Sequence, residues 1–266
     1  MATVDLEKRR LHGLRTYAIN QSLTRLHDER PGFAPQDTVV LFAAYEEEGN
    51  IGHVLDKMPP DLNGLAYTTV VVVDGGTDKT ADVCRTYPDV VVIEFPTNLG
   101  HGVALQVGYR YCIDNNVKYV VTIDADGQND PVEIPELLAP VLEDSSDFVV
   151  ASRRLGVDNT NDRFRKLGVN VFSFVMNRMT GAHLTDTSNG YRALRVAMLA
   201  DVIDRLTQEQ YQTAELLITC LKRGWRVSEV PTNWYPRYSG TTKKGKNWLF
   251  GFRYARVVIS TWWRER

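Results

Sequence analysis

The chain has 266 residues, 43% hydrophobic and 24% charged, which suits one large globular domain with a sizeable core. A net charge of −2 argues against binding nucleic acid over the whole surface. Cys84, Cys112 and Cys220 are scattered and odd in number, so they fit a reducing cytosol better than a disulfide framework or a metal site, and neither a signal-type apolar region nor an apolar run of membrane-spanning length is present.

Taken in order, Asp5 to Arg30 reads as a helix, with Leu6, Leu11, Leu14, Ile19, Leu23 and Leu26 among many charges. Pro31 to Gln36 breaks it. This extension, residues 1–36, could dock on the core or pair with another subunit. Strands and helices then alternate: a strand at Thr38 to Ala43, a helix at Glu48 to Met58, a strand at Thr68 to Val73, a helix at Asp78 to Tyr87. A strand at Val90 to Phe95 precedes a helix at Gly100 to Asn115, and a strand at Tyr119 to Ile123 precedes a helix at Pro131 to Glu143, capped by Asp130. Phe148 to Ala151 is a further strand. Helices at Arg163 to Met179 and Gln212 to Lys222, and a strand at Arg226 to Val230, complete a less regular second half. The alternation implies an α/β fold, a mainly parallel sheet flanked by helices.

The chemistry concentrates where the β-branched run Val120 to Ile123 ends in Asp124-Ala125-Asp126-Gly127-Gln128. Open α/β sheets bind ligands at the carboxyl ends of their strands. Asp124, Asp126 and Gln128 share one face of an extended chain. Two carboxylates and an amide oxygen suit Mg2+ or Mn2+ with positions left open for phosphate oxygens, although a solvated acidic turn fits the same letters. Val73-Asp74-Gly75-Gly76-Thr77-Asp78 is a strand, a tight turn and a helix start, which places Asp74 where a nucleobase or ribose could meet it or where the turn needs no ligand at all. Asn98-Leu99-Gly100-His101-Gly102 enters a helix whose N-terminus favours an anion, but it lacks the spacing of a dinucleotide site.

Asp186 to Arg192 combines an acid, small polar residues and an arginine, and Glu215 lies on an otherwise apolar helix face. Asp126, Asp186, Arg192 and Glu215 are the candidate catalytic residues. Arg237, Lys243, Lys244 and Lys246, with Gly240 and Gly245 among them, form a cationic loop suited to a pyrophosphate or a membrane surface. The tail, residues 244–266, reads as an amphipathic helix. Trp248, Phe252, Ala255, Ile259, Trp262 and Trp263 fall at helical spacing beside Arg253, Arg256, Arg264 and Arg266, a composition that fits a bilayer interface or an ordinary packed helix.

In their order and spacing these stretches resemble the family-2 glycosyltransferases of GT-A fold, and among them the dolichol-phosphate mannosyltransferases and bacterial polyprenyl-phosphate glycosyltransferases. The resemblance covers roughly Thr38 to Lys243, within a transferase domain of residues 37–243. Ala43 to Ile51 resembles the family's P-x-Y-N-E segment, Val73 to Thr80 its D-D-G-S-x-D-x-T, Asn98 to Ala104 its N-x-G-x-G-x-A and Asp124 to Gln128 its D-A-D-x-Q. Glu229-Val230-Pro231 with Arg237, Gly240, Thr242 and Lys243 follows its closing E-V-P…R-x-x-G-x-S-K.

The resemblance implies that Ala43, Tyr45, Glu47 and Asp74 hold the nucleoside and that Asp124, Asp126 and Gln128 hold metal and diphosphate. It implies that Arg237 and Lys243 close over the diphosphate and that Arg153 and Arg163 meet an acceptor phosphate. Ala43, Glu46, Val73 and Gly76 depart from the family's proline, asparagine, aspartate and serine, which leaves the nucleotide, GDP-mannose or a UDP-sugar, open.

The implied activity is inverting, metal-dependent transfer of a sugar from a nucleotide-diphosphate sugar to a polyprenyl phosphate. The protein would be cytoplasmic, or peripheral on the cytoplasmic membrane face, with a homo-oligomer or membrane partner left open. One rival is transfer to a hydroxyl acceptor, with Asp186 or Glu215 as base. A nucleotidyltransferase would need a basic, glycine-rich loop where Tyr45 to Glu48 is acidic. A non-catalytic nucleotide-sugar binder is the last alternative, and the complete Asp124, Asp126, Gln128 set speaks against it.

Overall fold

A computed structural model describes the backbone of residues 2–160, 163–240 and 247–266, and the side chains of residues 15–160, 167–240 and 251–266. Among the described residues, seven strands form one sheet: β1 (Thr38–Ala44), β2 (Thr68–Val73), β3 (Val90–Glu94), β4 (Tyr119–Asp124), β5 (Phe148–Asp158), β6 (Arg192–Arg195) and β7 (Val227–Trp234). The helices are α1 (Ala2–Glu29), α2 (Ile51–Leu55), α3 (Thr80–Arg85), α4 (His101–Asp114), α5 (Ile134–Leu142), α6 (Arg163–Thr180), α7 (Val196–Val202), α8 (Gln212–Lys222) and α9 (Asn247–Arg264).

The strand order is β3-β2-β1-β4-β6-β5-β7. From β1 the chain winds outward through β2 and β3, then crosses back to place β4 on the other side of β1. That reversal is the switch point where a doubly wound sheet opens a crevice. Pairing is parallel except at β6, which runs antiparallel to both β4 and β5. The α/β architecture read from the sequence is therefore present, with one reversed strand inside it.

Alternation along the strands builds two cores. Val39, Leu41, Val70 and Val72 face one side with α4, α7 and α8. Val40, Phe42, Val71 and Val73 face the other with α2 and α5. Burial of both faces explains why these strands are continuous β-branched runs. The N-terminal helix docks on this body. Ala18 and Leu26 are buried, the Ser22 hydroxyl donates to the Glu94 carbonyl at 2.6 Å, and Arg30 donates to the Pro88 and Val90 carbonyls at 2.7 and 2.8 Å.

Several boundaries differ from the sequence reading. The helix expected at Glu48 to Met58 is only Ile51–Leu55: Glu48 is tied to the turn before α3, its N–H donating to Asp78 at 3.1 Å and its carboxylate accepting from the Lys79 N–H at 2.8 Å. The helix expected from Pro131 opens as a 3-10 turn, Pro131–Glu133, with Asp130 accepting from the Val132 N–H at 3.2 Å. β5 runs seven residues beyond Ala151, with an irregular register against β7 between Ser152 and Val157. β6 and α7 were not foreseen.

Candidate active site

Parallel pairing sets the site at the tips of β1, β2 and β4. Ala43 lies opposite Asp124 and Ala44 opposite Val73, so the chain leaves all three strands at one level. The Asp126 carboxylate accepts from the Gln128 N–H at 3.1 Å and from the Arg237 guanidinium at 3.1 Å. A second nitrogen of Arg237 donates to both oxygens of Glu47 at 2.7 and 2.6 Å. One planar fork thus joins two carboxylates that would otherwise repel.

Asn50 completes the clasp. Its amide nitrogen donates to Glu47 at 2.6 Å and its oxygen accepts from the Ser239 N–H at 2.8 Å. Gln128 exchanges two bonds with the Tyr235 backbone, at 2.9 and 3.1 Å, and His53 stacks on Tyr238 at 3.8 Å. The segment 235–239 is therefore strapped across the strand tips. Asn50, His53 and Tyr238 escaped the sequence reading. The only local signal was an amide three residues after Glu47.

Asp74 is buried, and its carboxylate accepts from the Leu99 N–H at 2.7 Å and the Gly100 N–H at 3.0 Å. Burial pushes its pKa up to about 6, against the pull of those two N–H groups. Asp74 thus holds the glycine-rich entry to α4. That entry sets His101 Nε2 4.0 Å from Asp124 Oδ1. Tyr45 is exposed at the rim, and Ala43 is half-buried.

On the β5 side, Arg153 and Asp186 form a buried bidentate pair at 2.6 and 2.8 Å. Arg153 also donates to Ser188 at 2.8 Å and lies 4.6 Å from the Trp234 ring. Burial alone would raise Asp186, but the Arg153 hydrogen bonds and charge hold its carboxyl below the ordinary carboxylate range. Glu229 steadies the same loop by accepting from the Thr185 and Asp186 N–H groups at 2.6 and 2.7 Å. The loop then runs to Gly190, where an added Cβ would come within 3.1 Å of Asp124 Oδ1. The bare glycine keeps that carboxylate uncovered.

Two residues expected to be catalytic are taken up by backbone groups and an ion pair. Arg192 is fully buried and donates to the Asn189, Thr213 and Thr187 carbonyls at 2.7, 2.6 and 3.2 Å. Glu215 is fully buried and accepts from the Thr207 and Gln208 N–H groups at 3.0 and 2.9 Å and from Arg264 at 3.0 Å. Both tie loops together within the fold. Thr242, Lys243, Lys244, Lys246 and the side chains of Arg163 and Trp248 lie outside the described residues. Among the described residues, no three His, Cys, Asp or Glu side chains converge as a metal cage.

A doubly wound sheet with one reversed strand and a carboxylate-lined switch point fits a GT-A fold. The chain belongs to the family described as glycosyl transferase family 2, whose model matches residues 39–203. It is 31% identical to a dolichyl-phosphate hexose transferase of Haloferax volcanii, over 78% of this chain and 86% of that one. It is 27% identical to the UDP-N-acetylglucosamine--dolichyl-phosphate N-acetylglucosaminyltransferase of Methanococcus voltae, over 80% of this chain and 91% of that one. Among solved structures it resembles glucosyl-3-phosphoglycerate synthase of Mycobacterium tuberculosis in complex with Mn2+, UDP and phosphoglyceric acid. The TM-score is 0.67 at 20% identity, covering 90% of this chain and 81% of that one, a likeness of fold.

Proposed function

We propose that this glycosyltransferase moves a sugar from a nucleotide-diphosphate sugar to a polyprenyl phosphate at the cytoplasmic membrane face, with inversion at the anomeric carbon and with Mg2+ or Mn2+. The observation that carries the choice of acceptor is the engagement of both carboxylates expected as bases. Asp186 is locked to Arg153, and Glu215 accepts from two backbone N–H groups and Arg264. A hydroxyl acceptor needs a base to take its proton, whereas a phosphate is already an anion. The names of the archaeal relatives support the same reading.

The donor set at the β4 tip fits a divalent cation. Asp126 already faces the Arg237 guanidinium, a cation standing against its outer oxygen, and Gly190 leaves Asp124 uncovered. Mg2+ and Mn2+ are held by one or two carboxylates with phosphate oxygens and water completing the shell, so a cage of three acids is not required. Asp124 and Asp126 would hold the ion, which when bound supplies charge to offset the departing diphosphate.

The chain's own groups do the rest. Arg237 exchanges Glu47 and Asp126 for the diphosphate, its fork matching phosphate oxygens. Asp74 keeps the α4 entry in place beside the nucleoside pocket formed with Ala43, Tyr45 and Glu47. Arg153, set in plane by Asp186, orients the acceptor phosphate for attack from the face opposite the leaving group, joined by Arg163 and, over the diphosphate, Lys243.

The test is incubation with Mg2+ or Mn2+, a panel of sugar nucleotides, and either a short polyprenyl phosphate or the matching alcohol, with mass spectrometry of the lipid-soluble product. A glycosyl phosphate from the phosphate acceptor is expected. Product from the alcohol alone would reject the assignment.

A further inference from the structure

We infer that α6 and α9 together form one docking face for an anionic lipid bilayer, placed beside the acceptor side of the site. The inference rests on the proposal that the acceptor is borne by a lipid, but it concerns the surface and not the chemistry.

The two helices lie side by side and run the same way. The Phe172 and Tyr254 rings are 4.5 Å apart near the middle of both helices, and Trp262 Nε1 donates to the Met179 carbonyl at 2.7 Å near their ends. Each buries one side against the body, α6 through Ser173 and Met176, α9 through Tyr254, Val257, Val258 and Thr261.

Each presents the opposite side outward at the same spacing. On α6, Leu167, Val171, Phe174 and Arg178 fall at i, i+4, i+7 and i+11. On α9, Phe252, Arg256, Ile259 and Trp263 repeat that spacing. The six apolar side chains among them are 51% to 71% exposed. Large hydrophobic side chains left in solvent in two aligned rows are unusual for a soluble surface and mark an interaction face.

Charge selects the occupant. Neither helix contains an Asp or Glu, whereas α6 carries Arg163, Arg165, Lys166 and Arg178, and α9 carries Arg253, Arg256 and Arg264. Arg264 is taken by Glu215, which leaves six cations on two helices of a chain whose net charge is −2. Apolar rows interleaved with arginine suit an interface in which rings enter the acyl boundary and guanidinium groups meet lipid phosphates. No helix among the described residues is long and apolar enough to cross the membrane, so the face lies on the bilayer.

Its position suits a lipid-borne substrate. Ser173, on the buried side of α6, accepts from the Thr187 N–H at 3.2 Å, and the neighbouring Asp186 holds Arg153. One helix therefore separates the bilayer from the guanidinium that would meet the acceptor phosphate.

Co-sedimentation of the full chain with vesicles of phosphatidylcholine, with and without phosphatidylglycerol and without any acceptor, tests the face. Wild type is expected to bind the phosphatidylglycerol vesicles, more weakly as salt rises. Phe174→Glu combined with Ile259→Glu should lower the partition coefficient about tenfold or more, since two apolar anchors are replaced by acids. The milder Arg178→Gln combined with Arg256→Gln should lower it several-fold at low salt and serves if the first variant does not fold. Both should retain turnover of a short, water-soluble polyprenyl phosphate.

Equal sedimentation of wild type and both variants would overturn the inference. So would a wild type that ignores vesicles but forms a dimer that the acidic variant dissolves, since a second copy would then be the occupant. Wild-type vesicle binding lost in the variants, with no product from any polyprenyl phosphate, would support the face while rejecting the proposed acceptor.

Discussion

Arg237 carries opposite demands at the residue scale. In the structure its fork neutralises Glu47 and Asp126, and in the proposed reaction the same fork meets the diphosphate. Arg237→Lys keeps the charge but loses the planar pair of donors. Steady-state assays should show a loss of about ten- to a hundredfold in kcat/KM for the sugar nucleotide, in line with removing a donor aimed at developing charge. Thermal unfolding should change far less.

The Arg153–Asp186 pair makes a sharper prediction about stability. Removing one partner leaves a buried charge without its counterion, so Asp186→Leu should cost about 3–5 kcal/mol in urea unfolding. Joining it to Arg153→Met removes both charges and should recover much of that loss. Transfer to polyprenyl phosphate should stay abolished in the double variant, because the orienting guanidinium is gone. Recovery of activity with stability would assign the pair a purely structural role.

Asp74 adds a pH dependence whose sign follows from its pKa. The folded carboxyl titrates near 6, above the ordinary value of 3.8 that the unfolded chain retains. Between those values the unfolded chain loses its proton first, so stability falls as pH rises through this window and the loss is complete above about 6. A rise of this size corresponds to roughly 3 kcal/mol as an upper figure. Unfolding curves across this range should show the decline in wild type and a flatter profile in Asp74→Asn.

Close backbone packing at the element scale joins α4 to the loop before α8. The Gly102 N–H donates to the Glu209 carbonyl at 2.7 Å, and a Cβ on Gly102 would overlap the Gln208 carbonyl. Gly102→Ala should therefore destabilise by about 1–3 kcal/mol, as overpacking does. It should also lower turnover, since the same turn carries the Asp74 contacts and His101. Denaturant titration beside an assay at saturating donor separates the two effects.

Elements whose own residues decide them were legible in the chain. Thr68–Val73 and Gln212–Lys222 were bounded as observed, one by an unbroken β-branched run and the other by a helical apolar period. Elements decided by distant partners were not. β6 is four residues long with arginine at both ends, and only pairing with β4 and β5 makes it a strand. β5 continues past Ala151 through Arg153 and Arg154, where Asp186 and β7 supply what the local pattern lacks.

At the scale of the whole molecule, the sheet order explains why separated motifs share a site. Arg237 and Glu47 are 190 positions apart and meet because β1 is central and the chain beyond β7 folds over its tip. The acidic turn after β4 was readable as a candidate ligand set because its residues are neighbours in sequence. The buried anchoring of Arg192 and Glu215 was not, since an arginine or a helix-face acid looks the same in sequence whether it meets a ligand or a backbone carbonyl.

In the proposed reaction Asp124 and Asp126 would hold a divalent ion whose charge offsets the departing diphosphate. The direct measurement is turnover of Asp126→Ala beside wild type, with and without EDTA, using the sugar nucleotide and short polyprenyl phosphate that wild type accepts. EDTA is expected to silence wild type, and the variant to lose at least about a hundredfold in turnover. An Asp126→Ala enzyme with undiminished turnover and the same response to metal would contradict that role for the ion.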